Sequence, residues 1–233
     1  MTAHPWPLFD LRLRTPRLEL RLPTDDDLLA LMRLAREGIV EEGQTVFGVP
    51  WHELPSPALE RQFLLHCWRS RGSWSPTNWV LGLAVIVDGE PIGVQDVHAR
   101  DFAVRRAVAS ASWLGRTYQG HGYGTEMRAA ILALAFDGLG AELAESGYFT
   151  GNSSSARVSE KLGYEPNGEE VWTVSGKRVV EHRLAITRET WRRDLVPVTI
   201  EGLDPCLKLL GVGELSPDEW AGLLSSTPGV DYS

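Results

Sequence analysis

Three alternating glycines, Gly120, Gly122 and Gly124, stand in the stretch WLGRTYQGHGYGTEMRAA, residues 113–130. A strand-like segment precedes them and a helix-like segment follows. Glycines at such a junction let the backbone come close to another group. Successive main-chain N–H groups at a helix N-terminus bind phosphates, and the helix dipole adds about 0.3–1 kcal/mol for a nearby negative charge. The spacing therefore predicts that this backbone binds a pyrophosphate without a lysine.

Two other nucleotide loops fit these residues less well. The nucleoside-triphosphate loop requires a lysine, and after the correctly spaced Gly115 and Gly120 that place holds His121. The dinucleotide loop requires G-x-G-x-x-G and an acid about twenty residues later. Here the glycines give G-x-G-x-G, although Glu142 and Glu145 lie near that distance. A glycine-rich turn that binds nothing is the remaining alternative.

Composition limits the class of protein. The chain has 233 residues, of which 43% are hydrophobic and 23% charged, and a net charge of −8. This charge argues against nucleic-acid and anionic-membrane partners, which bind basic surfaces. We find no apolar run of signal-peptide or membrane-spanning length. Cys67 and Cys206 fit neither a disulfide framework nor a metal site, so we expect a cytoplasmic protein without metal, in which Cys67 lies in the core.

Hydrophobic periodicity predicts one α+β domain over residues 1–193. Its elements alternate between short strands and helices in the order βααβββαβαββ. The predicted helices start at Thr24, at Ser56–Pro57, at Thr125 (ending at Asp137) and at Asn152 or Ser153 (ending at Gly163). The predicted strands cover 17–22, 107–114 and 142–150, with hairpins turning at Asp88–Gly89 and Gly176–Lys177.

Residues 194–233 form a C-terminal extension of a different pattern. VPVTIEGL predicts one more strand, and residues 216–219 predict the start of a short helix. A lone strand needs a sheet to join, so the extension predicts a contact in a homo-oligomer. Within the main domain, strands 107–114 and 142–150 flank a helix and are expected to be parallel neighbours through a right-handed crossover.

The glycine motif resembles a family when it is combined with a second motif. Gln119-x-x-Gly122-x-Gly124 resembles the acyl-CoA loop of the GNAT family of N-acetyltransferases. The later NSSS (152–155) and EKLGY (160–164) resemble that family's next element. TPRLEL and HRLAITRETW are similar to the two ends of the RimJ and RimL subgroup, so the resemblance covers about residues 14–193. Residues 112–130 are also similar to actinobacterial members thought to use succinyl-CoA.

The resemblance implies a fold and a set of acyl-CoA contacts. The fold is a mixed, mostly antiparallel sheet of six to seven strands with about four helices and a V-shaped splay between two parallel central strands. Loop N–H groups hold the pyrophosphate, the strand before the loop pairs with pantetheine and polarises the thioester carbonyl, Asn152 bonds pantetheine, and Ser155 lies near the sulfur. The implied cofactor-binding residues are Trp113, Leu114, Gln119, Gly120, His121, Gly122, Tyr123, Gly124, Thr125, Asn152 and Ser155.

Acyl transfer to an amine needs a neutral amine, a stabilised oxyanion and a tolerated thiolate. For the thiol side we predict Ser155 as proton donor, with Tyr164 as the alternative; a helix-capping hydroxyl is the other explanation of Ser155. For the base, related members carry a carboxylate where this chain has Ala109 and Ser110. The remaining candidates are Asp96 and His98, on one face of a strand, then Glu145 or bulk water.

The missing carboxylate also leaves space for a succinyl group, whose free carboxylate Arg100, Arg105 or Arg106 would pair. Four tryptophans, Trp51, Trp68, Trp74 and Trp79, fall in the region that covers the acceptor site in the family, and most of them are expected in the core.

The leading interpretation is a CoA-dependent N-acyltransferase that moves an acetyl or succinyl group to a protein amine or a small amine. A non-catalytic acyl-CoA-binding or sensor protein of the same fold is the alternative. A nucleotide-dependent oxidoreductase is a third hypothesis, carried only by Glu142 and Glu145.

Overall fold

In the computed structural model, which describes residues 4–40 and 44–213, one mixed sheet organises the chain. Its strands are β1 Arg12–Arg14, β2 Glu19–Arg21, β3 Asn78–Val87, β4 Glu90–Arg100, β5 Ala107–Ala109, β6 Ser112–Leu114, β7 Leu143–Phe149, β8 Glu165–Val174, β9 Lys177–Thr187 and β10 Thr199–Glu201. The α-helices are α1 Asp25–Glu37, α2 Ala58–Gly72, α3 Phe102–Arg105, α4 Tyr123–Ala133 and α5 Ser153–Leu162.

The strand order is β10-β1-β2-β3-β4-β5-β7-β9-β8, with β6 also pairing β4. Among the described strands, β5 and β7 pair in parallel and the others pair antiparallel. The predicted α+β class and the parallel neighbours are therefore confirmed. A doubly wound dinucleotide-binding fold needs a mostly parallel sheet, so the dinucleotide loop on which the oxidoreductase hypothesis depended is wrong.

The sheet has ten strands, so the prediction of six to seven was too low. Of the additional strands, β1 has only three residues and was not predicted, and β10 is the strand predicted in VPVTIEGL, which lies outside the main domain to which the count of six to seven refers. A third arises because the predicted strand 107–114 is divided by Ser110 and Ala111 into β5 and β6. Three residues are too few to show an alternating pattern, whereas β3, with ten, was predictable.

The two faces of the sheet carry different helices. Leu81, Leu83 and Val85 of β3 pack with the apolar residues of α4, which is buried along almost its whole length. Ala84 and Ile86, on the opposite face, pack with residues of α1 and α2. Within the described parts of the chain, no helix is long and apolar enough to cross a lipid bilayer.

The start of α1 follows the predicted cap. The Thr24 hydroxyl accepts a hydrogen bond from the Asp27 N–H at 3.2 Å, and the Asp27 carboxylate accepts one from the Thr24 N–H at 2.7 Å. Arg21 donates to both Asp27 oxygens, at 2.5 and 3.0 Å. Burial raises the pKa of Asp27, but the bonds from Arg21 and Thr24 outweigh it and the net pKa is lowered. This reciprocal cap fixes the helix that covers one face of the sheet.

Several predicted boundaries were wrong by a few residues. The third predicted helix begins at Tyr123 rather than Thr125, because Gly122 already caps it, and it continues as a π-helical turn, Leu134–Gly138. The second hairpin turns at Ser175–Gly176, where both φ angles are positive, rather than at Gly176–Lys177. The single-turn helix α3 was not predicted.

The C-terminal segment adds β10 to the sheet of its own chain. β10 pairs antiparallel with β1, with Ile200 opposite Leu13. Cys206 and Leu210 follow it into the core. The strand predicted in VPVTIEGL thus exists, but its partner is internal, which removes the reason given for an oligomer contact. Residues 216–219 lie outside the described part, and the homo-oligomer stays a prediction.

Gly202 permits this pairing. Its φ is +71°, and an added Cβ would lie 2.5 Å from the Asp10 carbonyl oxygen. We expect Gly202→Ala to lower the free energy of unfolding by about 1–3 kcal/mol, because both the φ angle and the backbone contact oppose the new methyl group. Gly89→Ala is the control, since Gly89 has φ +86° and nothing within 4 Å of an added Cβ. Urea denaturation that shows equal losses for both variants would contradict the role of the contact.

Candidate functional site

The two parallel strands separate where β5 ends. The Ser110 N–H donates to the Glu145 carbonyl at 3.1 Å, and beyond it β6 pairs only with β4. Two side chains of β4 satisfy the interrupted backbone: Asp96 Oδ1 accepts from the Ala111 N–H at 2.8 Å, and Gln95 Nε2 donates to the Ala111 carbonyl at 3.0 Å. The gap between β6 and residues 146–149 of β7, here called the splay cleft, confirms the predicted V shape.

Alternate residues of β6 direct their main chain into the splay cleft. The Asp96 N–H donates to the Ala111 carbonyl and the Gly115 N–H to the Ile92 carbonyl, so odd-numbered residues face β4. Trp113, between them, therefore pairs with β4 through its main chain. Ser112 and Leu114 face the cleft. Gln119 Nε2 donates to the Leu114 carbonyl at 2.9 Å and to the Ile39 carbonyl at 2.8 Å, so this side chain ties the loop to the strand.

The glycine loop, residues 119–124, presents main-chain donors at the start of α4. The N–H groups of Gln119 and Thr125 donate to Arg116 and Gly122 carbonyls. Among the described residues, no acceptor lies on the N–H groups of residues 120–124. Gly120 and Gly122 have φ of +80° and +88°, which side chains disfavour. Five successive donors at a helix N-terminus form a site that an anion fits.

Glu126 holds this helix terminus in place. Its side chain is 5% exposed and accepts from the Thr15 hydroxyl at 2.5 Å, the Arg17 N–H at 2.9 Å and the Arg17 Nε at 2.8 Å. Arg17 also donates to the His121 carbonyl at 3.0 Å and lies over the Tyr123 ring. The turn between β1 and β2 thereby fixes the glycine loop. This carboxylate was not predicted from the sequence, where its signal is a charge among the apolar residues of α4.

Arg128 lies beneath the splay cleft and was also missed. It is 4% exposed, and it donates from Nη1 to the Ser146 hydroxyl at 2.7 Å and from Nη2 to the Ser112 hydroxyl at 3.3 Å. Ser112 belongs to β6 and Ser146 to β7, so the guanidinium bridges both arms of the cleft. In the described part of the chain it has no carboxylate partner, and its Nε is unpaired.

The second motif places three predicted residues near the cleft. Asn152 Oδ1 caps α5 by accepting from the Ser155 N–H at 3.2 Å. Because Asn152 provides the cap, the Ser155 hydroxyl is not a capping group, and no described residue bonds it. Tyr164 is 8% exposed, and its hydroxyl has no hydrogen-bond partner among the described residues. Burial raises the pKa of Tyr164, and the positive charge of Arg128 opposes that rise in part.

The candidate bases differ in what they contact. Asp96 and His98 lie together on one face of β4, with 3.5 Å between Asp96 Oδ1 and His98 Nδ1. Glu145 pairs with Arg183 at 3.6 Å. Ala109 and Ser110 lie at the point of strand separation and carry no acid. Asp96, bonded to Ala111, and Glu145, paired with Ala109, are the carboxylates at the start of the cleft.

The four predicted tryptophans divide between cavity, core and surface. Trp51 and Trp74 line a cavity of about 360 Å³ between α2 and the sheet, together with Trp113 and Asp96. Trp79 is buried in the core and Trp68 is exposed. Arg100, Arg105 and Arg106, the predicted partners of a succinyl carboxylate, do not line this cavity.

Cys67 lines the same cavity, where burial raises the pKa of its thiol to about 11. A thiol with such a pKa is protonated at neutral pH and is a poor nucleophile. Over residues 4–40 and 44–213, no group of three or more His, Cys, Asp and Glu side chains is arranged to hold a metal ion.

Removal of the Arg128 bridge is expected to affect the stability of the protein and its affinity for CoA in different ways. We expect Arg128→Met to keep or raise the melting temperature, because an apolar residue often replaces a buried charge without loss. We expect CoA affinity to fall by about 10- to 100-fold, because the arms of the cleft lose their fixed spacing. Thermal melting and calorimetric titration measure the two effects. Arg100→Met, at an exposed position, is the control, and unchanged CoA affinity in Arg128→Met would contradict the bridging role.

Comparisons with known proteins agree with this geometry. The chain has the same fold as a crystal structure described as a probable acetyltransferase (21% identity, 76% of this chain and 96% of the other covered, TM-score 0.63). RimJ from Mycobacterium smegmatis, solved with CoA-disulfide, also shares it (19% identity, 78% and 90% covered, TM-score 0.60). So does RimL, a ribosomal alpha-N-protein acetyltransferase solved with coenzyme A (15% identity, 74% and 95% covered, TM-score 0.59).

The family model of the acetyltransferase (GNAT) domain matches residues 17–165, which include the glycine loop, both arms of the splay cleft and α5. Because the match spans more than half of the sequence, the chain belongs to the GNAT acetyltransferase family.

Proposed function

We propose that this chain transfers an acetyl or succinyl group from acyl-CoA to a primary amine, by direct attack in a ternary complex. The observation that carries the proposal is the row of unpaired N–H groups of residues 120–124, which ends beside the open splay cleft. The anion site at the glycine loop suits the pyrophosphate of CoA, and the adjoining splay cleft suits the pantetheine arm that is attached to it.

The residues of the cleft divide the binding of acyl-CoA among them. The N–H groups of the glycine loop hold the pyrophosphate, with the positive end of the α4 dipole behind them. The main-chain groups of Ser112 and Leu114 that face the cleft have no partner in β7, and they bond the pantetheine arm instead. Asn152 keeps its Nδ2 for the same arm, since its Oδ1 caps α5. Trp113 contributes its side chain, which lines the neighbouring cavity, because its main chain is paired with β4.

The chemistry needs little beyond positioning. The amine must be neutral to attack, and Asp96, directly or with His98, receives its proton at the start of the cleft. A main-chain N–H of β6 that faces the cleft stabilises the oxyanion, a contribution of about 2.7–4 kcal/mol for one such donor. Ser155, whose hydroxyl is free of the cap, donates to the departing thiolate; Tyr164, whose pKa is raised by burial, is the alternative donor.

The second candidate function is acyl-CoA binding without transfer. One observation favours it: the acids near the cleft already have partners, since Asp96 accepts from Ala111 and Glu145 pairs with Arg183. Release of free CoA in the presence of an amine distinguishes a transferase from a sensor. For both functions we propose a cytoplasmic location, which suits two free cysteines.

The glycine loop provides the test of acyl-CoA binding. We expect CoA, acetyl-CoA or succinyl-CoA to bind the protein in calorimetric titration, and NAD not to bind. Gly122→Trp should weaken that binding by at least about tenfold, because a bulky side chain at φ +88° obstructs the N–H groups. Gly89→Trp is the matched control, since Gly89 has a similar φ of +86°, has nothing within 4 Å of an added Cβ and lies in the turn between β3 and β4. If no CoA species binds the wild-type protein, the glycines only shape a turn.

A further inference from the structure

The cavity between α2 and the sheet adjoins the splay cleft, because Ser112 and Trp113 of β6 belong to both. It lies on the sheet face opposite α4, where Val94 and Trp113 pack with α2 residues. We propose that this cavity binds the acceptor and that the acceptor is a small apolar primary amine. The inference rests on the proposed N-acyltransferase function and names the substrate class of that site.

Gly82 leaves the floor of the cavity open. It lies in the middle of β3, directly opposite Asp96 on β4, and both residues line the cavity. An added Cβ at Gly82 would meet nothing within 4 Å. Glycine weakens a strand interior and often marks the close approach of a ligand. The missing side chain therefore exposes the Asp96 carboxylate to whatever occupies the cavity.

Asp96 is the only acid among the described residues that line the cavity. Its Oδ1 accepts from the Ala111 N–H and faces His98, whereas no described residue donates to its Oδ2. One free carboxylate oxygen suits one ammonium group. A polyamine would place further positive charges in the cavity, where Arg71 is already a lining residue.

The walls are aromatic. The ring of Trp51 lies 5.7 Å from that of Phe47, 5.6 Å from that of Phe63 and 5.9 Å from that of Trp113. These four rings offer an apolar surface for the body of a ligand and their faces for its ammonium group. A peptide acceptor would need partners for its backbone amides along its length, which the aromatic residues do not provide; the polar lining side chains Gln62, His66 and Ser70 all lie on α2. The volume of about 360 Å³ lies in the range of small-molecule sites.

The test compares three acceptors with acetyl-CoA or succinyl-CoA as donor: 2-phenylethylamine, spermidine, and a polar hexapeptide with a free N-terminus and one lysine. Acylated product and released CoA are measured. We expect kcat/KM for 2-phenylethylamine to exceed the other two values by roughly tenfold or more, the discrimination that apolar pocket contacts give.

Two variants test the location. Gly82→Leu fills the floor and should lower kcat/KM for 2-phenylethylamine by roughly tenfold or more, with CoA affinity and melting temperature unchanged. Gly72→Leu, at an exposed glycine that also has open space around an added Cβ but does not line the cavity, should have no effect. Asp96→Asn keeps an oxygen for the Ala111 N–H but loses both the negative charge and the proton acceptor, so it should lower kcat/KM for the amine without weakening CoA binding.

A preference for spermidine or the peptide overturns the inference and leaves the N-acyltransferase standing. Unchanged 2-phenylethylamine transfer by Gly82→Leu does the same. CoA binding without transfer to any of the three acceptors also overturns the inference, and it favours acyl-CoA binding without transfer, the second candidate function. The proposed function itself fails on a different result, namely that no CoA species binds and no donor is consumed.

Discussion

Two adjacent parallel strands that separate in the middle of a sheet must find new partners for their main-chain groups, and this constraint shapes the centre of the molecule. Buried peptide groups without hydrogen bonds are costly. Here the side chains of Gln95 and Asp96 of β4 form hydrogen bonds with the backbone of Ala111, and the Gln119 side chain donates one to the Leu114 carbonyl. The groups that still face the gap are the ones that a ligand with amides of its own can pair.

Two buried charges, two residues apart in α4, serve this opening in different ways. Glu126 fixes the helix terminus by accepting four hydrogen bonds and ion-pair contacts from Thr15 and Arg17, which lie in the turn before β2. Arg128 joins β6 to β7 through two serine hydroxyls. The contacts of Glu126 orient the glycine loop, and those of Arg128 set the width of the splay cleft. One helix therefore positions both parts of the candidate site.

Local signals predicted the parts of the site that are local in sequence. The glycine loop, the Thr24 cap and the Asn152 cap each depend on residues within a few positions of one another. The remaining parts depend on contacts between distant segments. Nothing near Arg128 in the sequence indicates Ser112 and Ser146 as its partners. The predicted turn at Asp88–Gly89 would place Gly82 opposite Gln95, and the irregularity between Val85 and Ile86 shifts its partner to Asp96. The strand pairing that creates these contacts is set by tertiary packing rather than by propensity.

The pairing of β10 with β1 also orders events during biosynthesis. Because translation proceeds from the N-terminus, the outer edge of β1 has no strand to pair with until Thr199–Glu201 have left the ribosome. Closing a loop of nearly the whole chain is slow compared with local hairpin formation. An open strand edge invites pairing with other chains, and a strand of only three residues offers them very little to pair with. The brevity of β1 thus protects the nascent protein during the interval in which its sheet is incomplete.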